Sequence, residues 1–327
     1  MRFSVRVNND LPFAELLALA TAAEQAGFGQ LWFSNDLFLR SAPVLAGALA
    51  ASTERIGLGI AVMNPYSVHV SELAMVAATA QEVSGGRFLL GLGAGAEQFL
   101  GWAGLARPRP LAVTRTALVV LRALLGHGDV ERELLPEWFG PDSVLRFPVE
   151  RPVPVYVGAM GPKMLAMAGR HADGVLPLLY PPERYAVVRP QVLAGAGSRD
   201  VDLPACFWVS VSDDAAAGRA ALAEKLAYYG PSISAEMLAG SGLRPQDFAP
   251  AAELAQSGRV AAALIDDRML SLGVAGDVAD VVARCRALVR LGASHLSFGP
   301  PLGPDPVAAV RLLGEQVLPV LLQEVDA

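Results

Sequence analysis

The sequence predicts an α/β protein, a (β/α)8 TIM barrel with helical and loop insertions. Three observations predict it. Short apolar runs alternate with helix-period segments eight times along 327 residues, the pattern of parallel strands joined by crossover helices. Polar or glycine-rich turns follow the carboxyl ends of the runs, where barrels of this kind carry their sites. Hydrophobic residues make up 53% of the chain, ample for one large core, and α/β barrels of this length are routinely one domain, so residues 1–327 read as a single unit. A doubly wound open sheet is the competing architecture; eight units with both ends of the chain inside the pattern favour closure.

The first strand is Arg2–Val7, and Pro12–Ala26 is a helix stopped by Gly27. Strand Gln30–Ser34 leads to helix Pro43–Ser52. Residues 56–95 are the most informative stretch: strand Ile56–Val62, helix Ser71–Val83 stopped by Ser84-Gly85-Gly86, then strand Arg87–Gly93. That is a right-handed βαβ unit of a parallel sheet. Helix Pro110–Leu125 follows, and then a polar, proline-rich excursion at about 126–152. Strand Val153–Val157, helix Pro162–Arg170, strand Gly174–Leu178, helix Glu183–Leu193 and strand Ala205–Val211 continue the alternation. Residues 213–273 read as a second excursion, helical and broken at Gly230-Pro231 and Ser241-Gly242. Helix Asp277–Leu291, strand Ser294–Phe298 and helix Pro306–Leu322 complete the series.

Charge and cysteine usage exclude several classes. Lys and Arg number 26 against 32 Asp and Glu, a net charge of −6, which argues against nucleic acid as a partner. Cys206 and Cys285 fall within apolar patterns, unclustered, as core residues of a protein in a reducing compartment. No histidine pairs with a carboxylate at metal-ligand spacing, so no metal site is expected. No secretory leader and no membrane-length apolar run is legible. The expectation is a soluble cytoplasmic protein acting on a small molecule.

With a barrel in place, the site residues come from the strand ends: Asn8–Asp10, Ser34–Asp36, Ala61–Tyr66, Gly93–Glu97, Gly158–Lys163, Leu179–Tyr180, Ser210–Ser212 and Phe298–Pro301. The strongest local signal is VPVYVGAMGPKMLAMAG. A buried strand runs into Gly158-Ala159-Met160-Gly161, and Pro162 stands in the first turn of a helix. Glycines let the backbone approach a ligand, and free N–H groups at the helix start suit a phosphate. Lys163 adds positive charge; it and Lys225 are the only lysines. An ordinary βα turn with a surface lysine is the plain alternative. Neither a dinucleotide-binding fingerprint nor a Walker A loop is present.

Five blocks, AEQAGFGQLWFS (23–34), GIAVMNPY (59–66), EVSGGRFLLGLGAG (82–95), VYVGAMGPKMLAMAG (155–169) and FGPPLGPD (298–305), resemble the luciferase-like (bacterial luciferase) superfamily. Within it they resemble the branch of reductases that use the deazaflavin coenzyme F420, such as methylenetetrahydromethanopterin reductase. The NPY and GPKML blocks carry the branch; the others mark only the superfamily. The resemblance implies a non-prolyl cis peptide at Ala61-Val62, a bulge backing the flavin or deazaflavin ring. It implies that Asn35, Asn64, Gly93, Ala94 and Gly95 edge that ring. The turn from Gly158 through Ala159, Met160, Gly161, Pro162 and Lys163 to Met164 is implied to hold the cofactor's phosphate. Hydride transfer to a C=N or C=C bond is the implied reaction. A homodimer formed by barrel helices is the implied assembly. An FMN-dependent monooxygenase is the alternative enzyme, and a non-catalytic cofactor-binding barrel the alternative to both.

Two positions depart from the family pattern. Its acid–His pair at the second strand's end reads Asn35-Asp36, and the acid expected after the fourth strand's glycine turn reads Ala96, with Glu97 one place on. Asp36 or Glu97 is then the catalytic acid of a re-tuned site, or the substrate is an iminium-like ion that needs hydride and no protein proton, or the chemistry has changed. The second option is preferred, because two ionisable groups vanish together. Asp36 can act as an acid only if burial or neighbours raise its pKa. Tyr66, His69 and Tyr180 are the candidate substrate residues. His69 reads equally as a helix-start residue and the tyrosines as half-buried packing. His127 and His171 end helices and suit the dipole there, and His295 lies in the core of the last strand. Arg107 and Arg109 reach either an acidic cofactor tail or solvent.

Overall fold

The computed structural model describes residues 1–128, 130–257 and 262–323. Asp129, residues 258–261 of the second excursion and residues 324–327 of the expected domain lie outside the described residues. Nine parallel strands form one sheet: β1 (Arg2–Val7), β2 (Gln30–Phe33), β3 (Gly57–Met63), β4 (Phe88–Leu92), β5 (Val155–Gly158), β6 (Gly174–Leu176), β7 (Ala205–Val211), β8 (Val274–Gly276) and β9 (His295–Leu302). Their order is β6-β5-β4-β3-β2-β1-β9-β7-β8. Parallel bridges Gly174–Asp202 and Leu178–Cys206 join β6 to the start of β7. Val175 N–H donates to Asp202 O at 2.8 Å and Leu179 N–H to Cys206 O at 2.9 Å. β1 to β7 and β9 thus close a ring, while β8 extends the upper half of β7 along residues 209–211. In that ring β3 faces β7, and β5 faces β1.

The expected TIM barrel is therefore present, with corrections to its parts. Strand β8 falls in a gap to which the sequence assigns no element; three residues are too short to show a periodicity. β9 runs four residues past Phe298, through Pro300 and Pro301, which sequence reasoning treats as strand breakers. Helix Glu97–Trp102, just after β4, was not expected. The excursion at 126–152 holds only a 3-10 turn, Arg132–Leu134, among the described residues. The second carries helices Ala215–Tyr229, Ala249–Gln256 and Asp267–Leu270.

Strand alternation sorts side chains between the two faces of the barrel wall. On β1, Phe3, Val5 and Val7 join the core beneath the outer helices, while Ser4 and Arg6 point the other way. The interior is accordingly of two kinds. Trp32, Leu89, Tyr156, Leu176 and Cys206 make an apolar cluster with Ala61 and Val62. On the β1 and β9 side the interior is polar, and one chain of hydrogen bonds crosses it. Asp202 accepts from Arg2 Nη2 at 2.8 Å and from the Tyr156 hydroxyl at 2.8 Å. It meets His295 Nδ1 at 3.0 Å, and His295 Nε2 meets Ser4 Oγ at 3.0 Å. Ser4 Oγ donates to Ser297 Oγ at 2.9 Å, which also accepts from Arg6 Nε at 3.1 Å. No side-chain nitrogen or oxygen of this run is buried without a partner, which is what makes such a run tolerable in a core.

Among the described residues no helix is long and apolar enough to cross a membrane. No cluster of ligating side chains that could hold a metal ion occurs among them.

Candidate active site

A cavity of about 790 Å³ opens at the carboxyl ends of the strands. Its back wall is the Ala61–Val62 step of β3. The peptide bond there is cis, as the family resemblance implies, and the pairing of β3 with β4 shifts register between Ile60 and Met63. The glycines of the GLGAG run make room for this bulge. A Cβ on Gly91 would lie 2.3 Å from Ile60 O, and one on Gly93 would lie 2.5 Å from Val62 Cγ2. Neither distance is sterically accessible, so the chain must be glycine at both places for the bulge to stand where it does.

Most of the residues expected at the site line this cavity: Asn35, Asp36, Ala61, Val62, Asn64, Gly93, Ala94, Gly95, Glu97, Gly158, Met160, Gly161, Met164 and Tyr180. The side chain of Asn64 is turned back on its own loop, its Oδ1 accepting from Tyr66 N–H at 3.1 Å and Ser67 N–H at 2.9 Å. Gly161 caps helix Pro162–His171, and no side chain caps that end, so its first N–H groups stay open beside the cavity. Ala159 is buried beneath the turn, and Pro162 and Lys163 are exposed on the helix, off the cavity wall.

Two candidate substrate residues stand elsewhere. Tyr66 does not line the cavity; its hydroxyl donates to Pro108 O at 2.8 Å, tying two loops together. His69 is the N-cap of helix Val70–Val83, accepting from Ser71 N–H at 3.3 Å, and its ring lies 5.5 Å from that of Trp138. That is the helix-start role. His127 and His295 are likewise structural, the first meeting Val153 O at 3.1 Å. Tyr180 does reach the cavity, buried edge-on against Trp208 at 4.8 Å, and burial pushes its hydroxyl far up.

The two acids differ. Burial raises the Asp36 carboxyl; Ser34's hydrogen bond and the Lys225 charge oppose that rise, and Asp10 adds to it. Asn9 fixes its loop, with Nδ2 donating to Asp36 O at 3.2 Å. Glu97 sits at the rim with its side chain 79% exposed and bonded to Arg107 Nη2 at 2.7 Å. Arg107 also donates through Nη1 to Gly95 O at 3.1 Å, and its Nε is buried with no partner.

Sequence reasoning missed Arg6, Trp208, Lys225 and Tyr229, all of which line the cavity. Lys225 comes from helix Ala215–Tyr229, its Nζ 5.0 Å from the Trp208 ring centre and 4.5 Å from that of Tyr229. Burial lowers its ammonium to about 8, Arg6 adding to the effect and Asp10 and Asp36 opposing it. For Arg6 the legible signal was the polar alternation of β1, Arg2, Ser4 and Arg6, in a strand that a parallel sheet buried on both faces would make apolar throughout.

A family description of luciferase-like monooxygenases matches residues 1–295, and the chain belongs to that family. The 5,10-methylenetetrahydromethanopterin reductase of Methanolobus tindarius is 29% identical over 327 residues, 97% of this chain and 100% of that one. The F420-dependent glucose-6-phosphate dehydrogenase of Nakamurella multipartita is 30% identical over 330 residues, covering 94% and 92%. Among solved structures, the coenzyme F420 dependent tetrahydromethanopterin reductase from Methanopyrus kandleri superposes with a TM-score of 0.87 at 26% identity, covering 98% of this chain and 99% of that one.

Proposed function

We propose that the protein is an F420-dependent oxidoreductase that transfers hydride from the reduced deazaflavin to a C=N or C=C bond of a small organic substrate. The observation that carries this is the bulge at Val62, given room by glycines at 91 and 93, at the back of a cavity of about 790 Å³. A flat ring can rest against this apolar wall of Ala61 and Val62. The cofactor fits the remaining residues. The open helix end at Gly161 and the turn from Gly158 to Met164 suit a phosphate. Arg107, with its unpartnered Nε at the rim, suits an acidic tail. Relatives named for F420 support the assignment.

Reduced F420, when bound, supplies a hydride rather than single electrons. The chain's residues do the rest. Val62 and the glycines beside it would back the ring; Trp208 on β7, across the barrel from β3, bounds the space left for substrate. Tyr180, Trp208 and Tyr229 exclude water from it and hold the partner molecule at reacting distance. Asp36, its carboxyl raised by burial, is the group we assign to proton delivery; Glu97, exposed and tied to Arg107, secures the rim. The two cysteines are unpaired and buried, which suits a reducing compartment, and we place the enzyme in the cytoplasm. The assembly we propose is a homodimer.

The direct test is hydride tracing. F420 reduced with deuterium at its hydride position is mixed with the enzyme and a panel of imines and enones. One deuterium bound to carbon in the product, with one oxidised F420 formed per product, is the expected result. Oxygen-dependent product without deuterium would instead assign an FMN-type monooxygenase.

A further inference from the structure

We propose that Arg6 and Lys225 form an anion subsite in the cavity, and that the substrate carries a carboxylate bound there. This rests on the reductase reading of the same cavity and names the substrate class that reading leaves open.

The charges of the cavity single these residues out. Its charged side chains are Arg6, Asp36, Glu97, Arg107 and Lys225. Glu97 and Arg107 neutralise each other at 2.7 Å. What remains is two cations against Asp36, in a chain whose overall charge is −6. The balance is +2 − 1 = +1 with Asp36 ionised and +2 with it protonated, and burial favours the protonated form. Asp10, which also acts on Lys225, lies exposed and off the cavity wall.

Arg6 is held as a fixed donor. Its Nε donates to Ser297 Oγ at 3.1 Å and its Nη2 to Phe207 O at 2.8 Å and Ser297 O at 3.4 Å. Nη1 has no hydrogen-bond or ion-pair partner among the described residues. A Cβ on Gly299 would lie 2.4 Å from Arg6 Nη2, so glycine at that place admits the guanidinium. Ser297 is anchored in turn through Ser4 and His295 to Asp202. A cation secured on three of its donors, with a nitrogen left over, is pre-organised for an anion.

Lys225 lies over two aromatic faces and makes no hydrogen bond or ion pair with any described residue. An ammonium has three N–H donors, so one placed in a cavity without an acceptor is suited to a ligand that brings one. The two cations also stand away from the turn we assign to the cofactor's phosphate. The phosphate turn ends β5, opposite β1 in the ring, and Lys225 follows β7, opposite the Val62 bulge. They sit on the substrate's side. A carboxylate anchored there presents the rest of a small molecule to the space in front of Val62.

The test is calorimetric titration of the F420-loaded protein with crotonate and cinnamate, each against its methyl ester. At least about tenfold tighter binding of the acids is expected, the scale of one charge-assisted contact. Lys225→Met and Arg6→Gln each remove most of that preference, Lys225→Arg restores it, and F420 affinity in the variants stays within about threefold. Acid and ester binding alike, or Lys225→Met keeping the full preference, overturns the subsite. The same titrations on cofactor-free protein separate the two readings. Acid preference in a protein that takes no F420 refutes the cofactor and keeps the subsite; F420 binding with no acid preference does the reverse.

Discussion

At the end of β2 a carboxyl group is carried into a cavity, and its energetics can be measured apart from its chemistry. Burial raises Asp36 above its ordinary value. A group raised in the folded state adds stability below its unfolded pKa and loses it as pH climbs through the folded one. Ionised Asp36 therefore costs stability near neutrality. Asp36→Asn is expected to raise Tm by about 2 °C at pH 8, a gain that disappears near pH 4. The same change lowers kcat about a hundredfold if Asp36 delivers the proton, while Glu97→Gln stays within about threefold. Full turnover in Asp36→Asn would return the assignment to a cationic substrate that needs no protein proton. The glycine wall gives a second residue-scale test. Gly93→Ala puts a methyl group 2.5 Å from Val62 Cγ2, so Val62 must move into the cavity. F420 affinity should fall at least about tenfold with the far-ultraviolet circular dichroism unchanged.

Closure between β6 and β7 depends on few contacts, and Asp202 is central to them. Its main chain bridges to Gly174 and its side chain meets Arg2, Tyr156 and His295. Burial alone would raise this carboxyl, but the His295 hydrogen bond and the charges of His295 and Arg2, with Tyr156, outweigh it and hold it low. A lowered carboxyl stabilises above its unfolded pKa, and that contribution is lost as pH falls through the folded value, so acid below about pH 4 should loosen this seam first. Asp202→Ala is expected to cost about 3 kcal/mol, roughly 4 °C in Tm for a chain of this size, measured by calorimetry; no loss would show the seam to be held by packing alone. These elements also show how far the sequence could be read. Long units such as strand Arg87–Gly93 and its preceding helix declared themselves by period and by their glycine stops. β8 did not, because three residues show no period, and β9's end was hidden by Pro300 and Pro301. The turn Gly158–Gly161 was legible as a glycine pattern, whereas the Ala61–Val62 bulge was expected only from the family resemblance. Lys225 was not, since it lies in a helix of low amphipathicity whose inward face only the fold reveals. Arg6 was legible in principle, in the polar alternation of β1.

For the molecule as a whole, two expectations follow. Val44 is 70% exposed and Met75 46% exposed, on neighbouring helices of the outer ring, Ala42–Ala50 and Val70–Val83. Apolar side chains left in water on two neighbouring helices suit the homodimer we propose. Sedimentation should give twice the chain mass, and Val44→Asp should halve it; a monomeric parent would refute this face. The central claim concerns the cavity and the cofactor it takes. Its most direct measurement is the affinity of the purified protein for oxidised F420 and for FMN, read side by side by fluorescence. The account predicts micromolar or tighter binding of F420, with FMN at least about tenfold weaker. FMN bound as tightly or more tightly than F420, or neither bound, would contradict it.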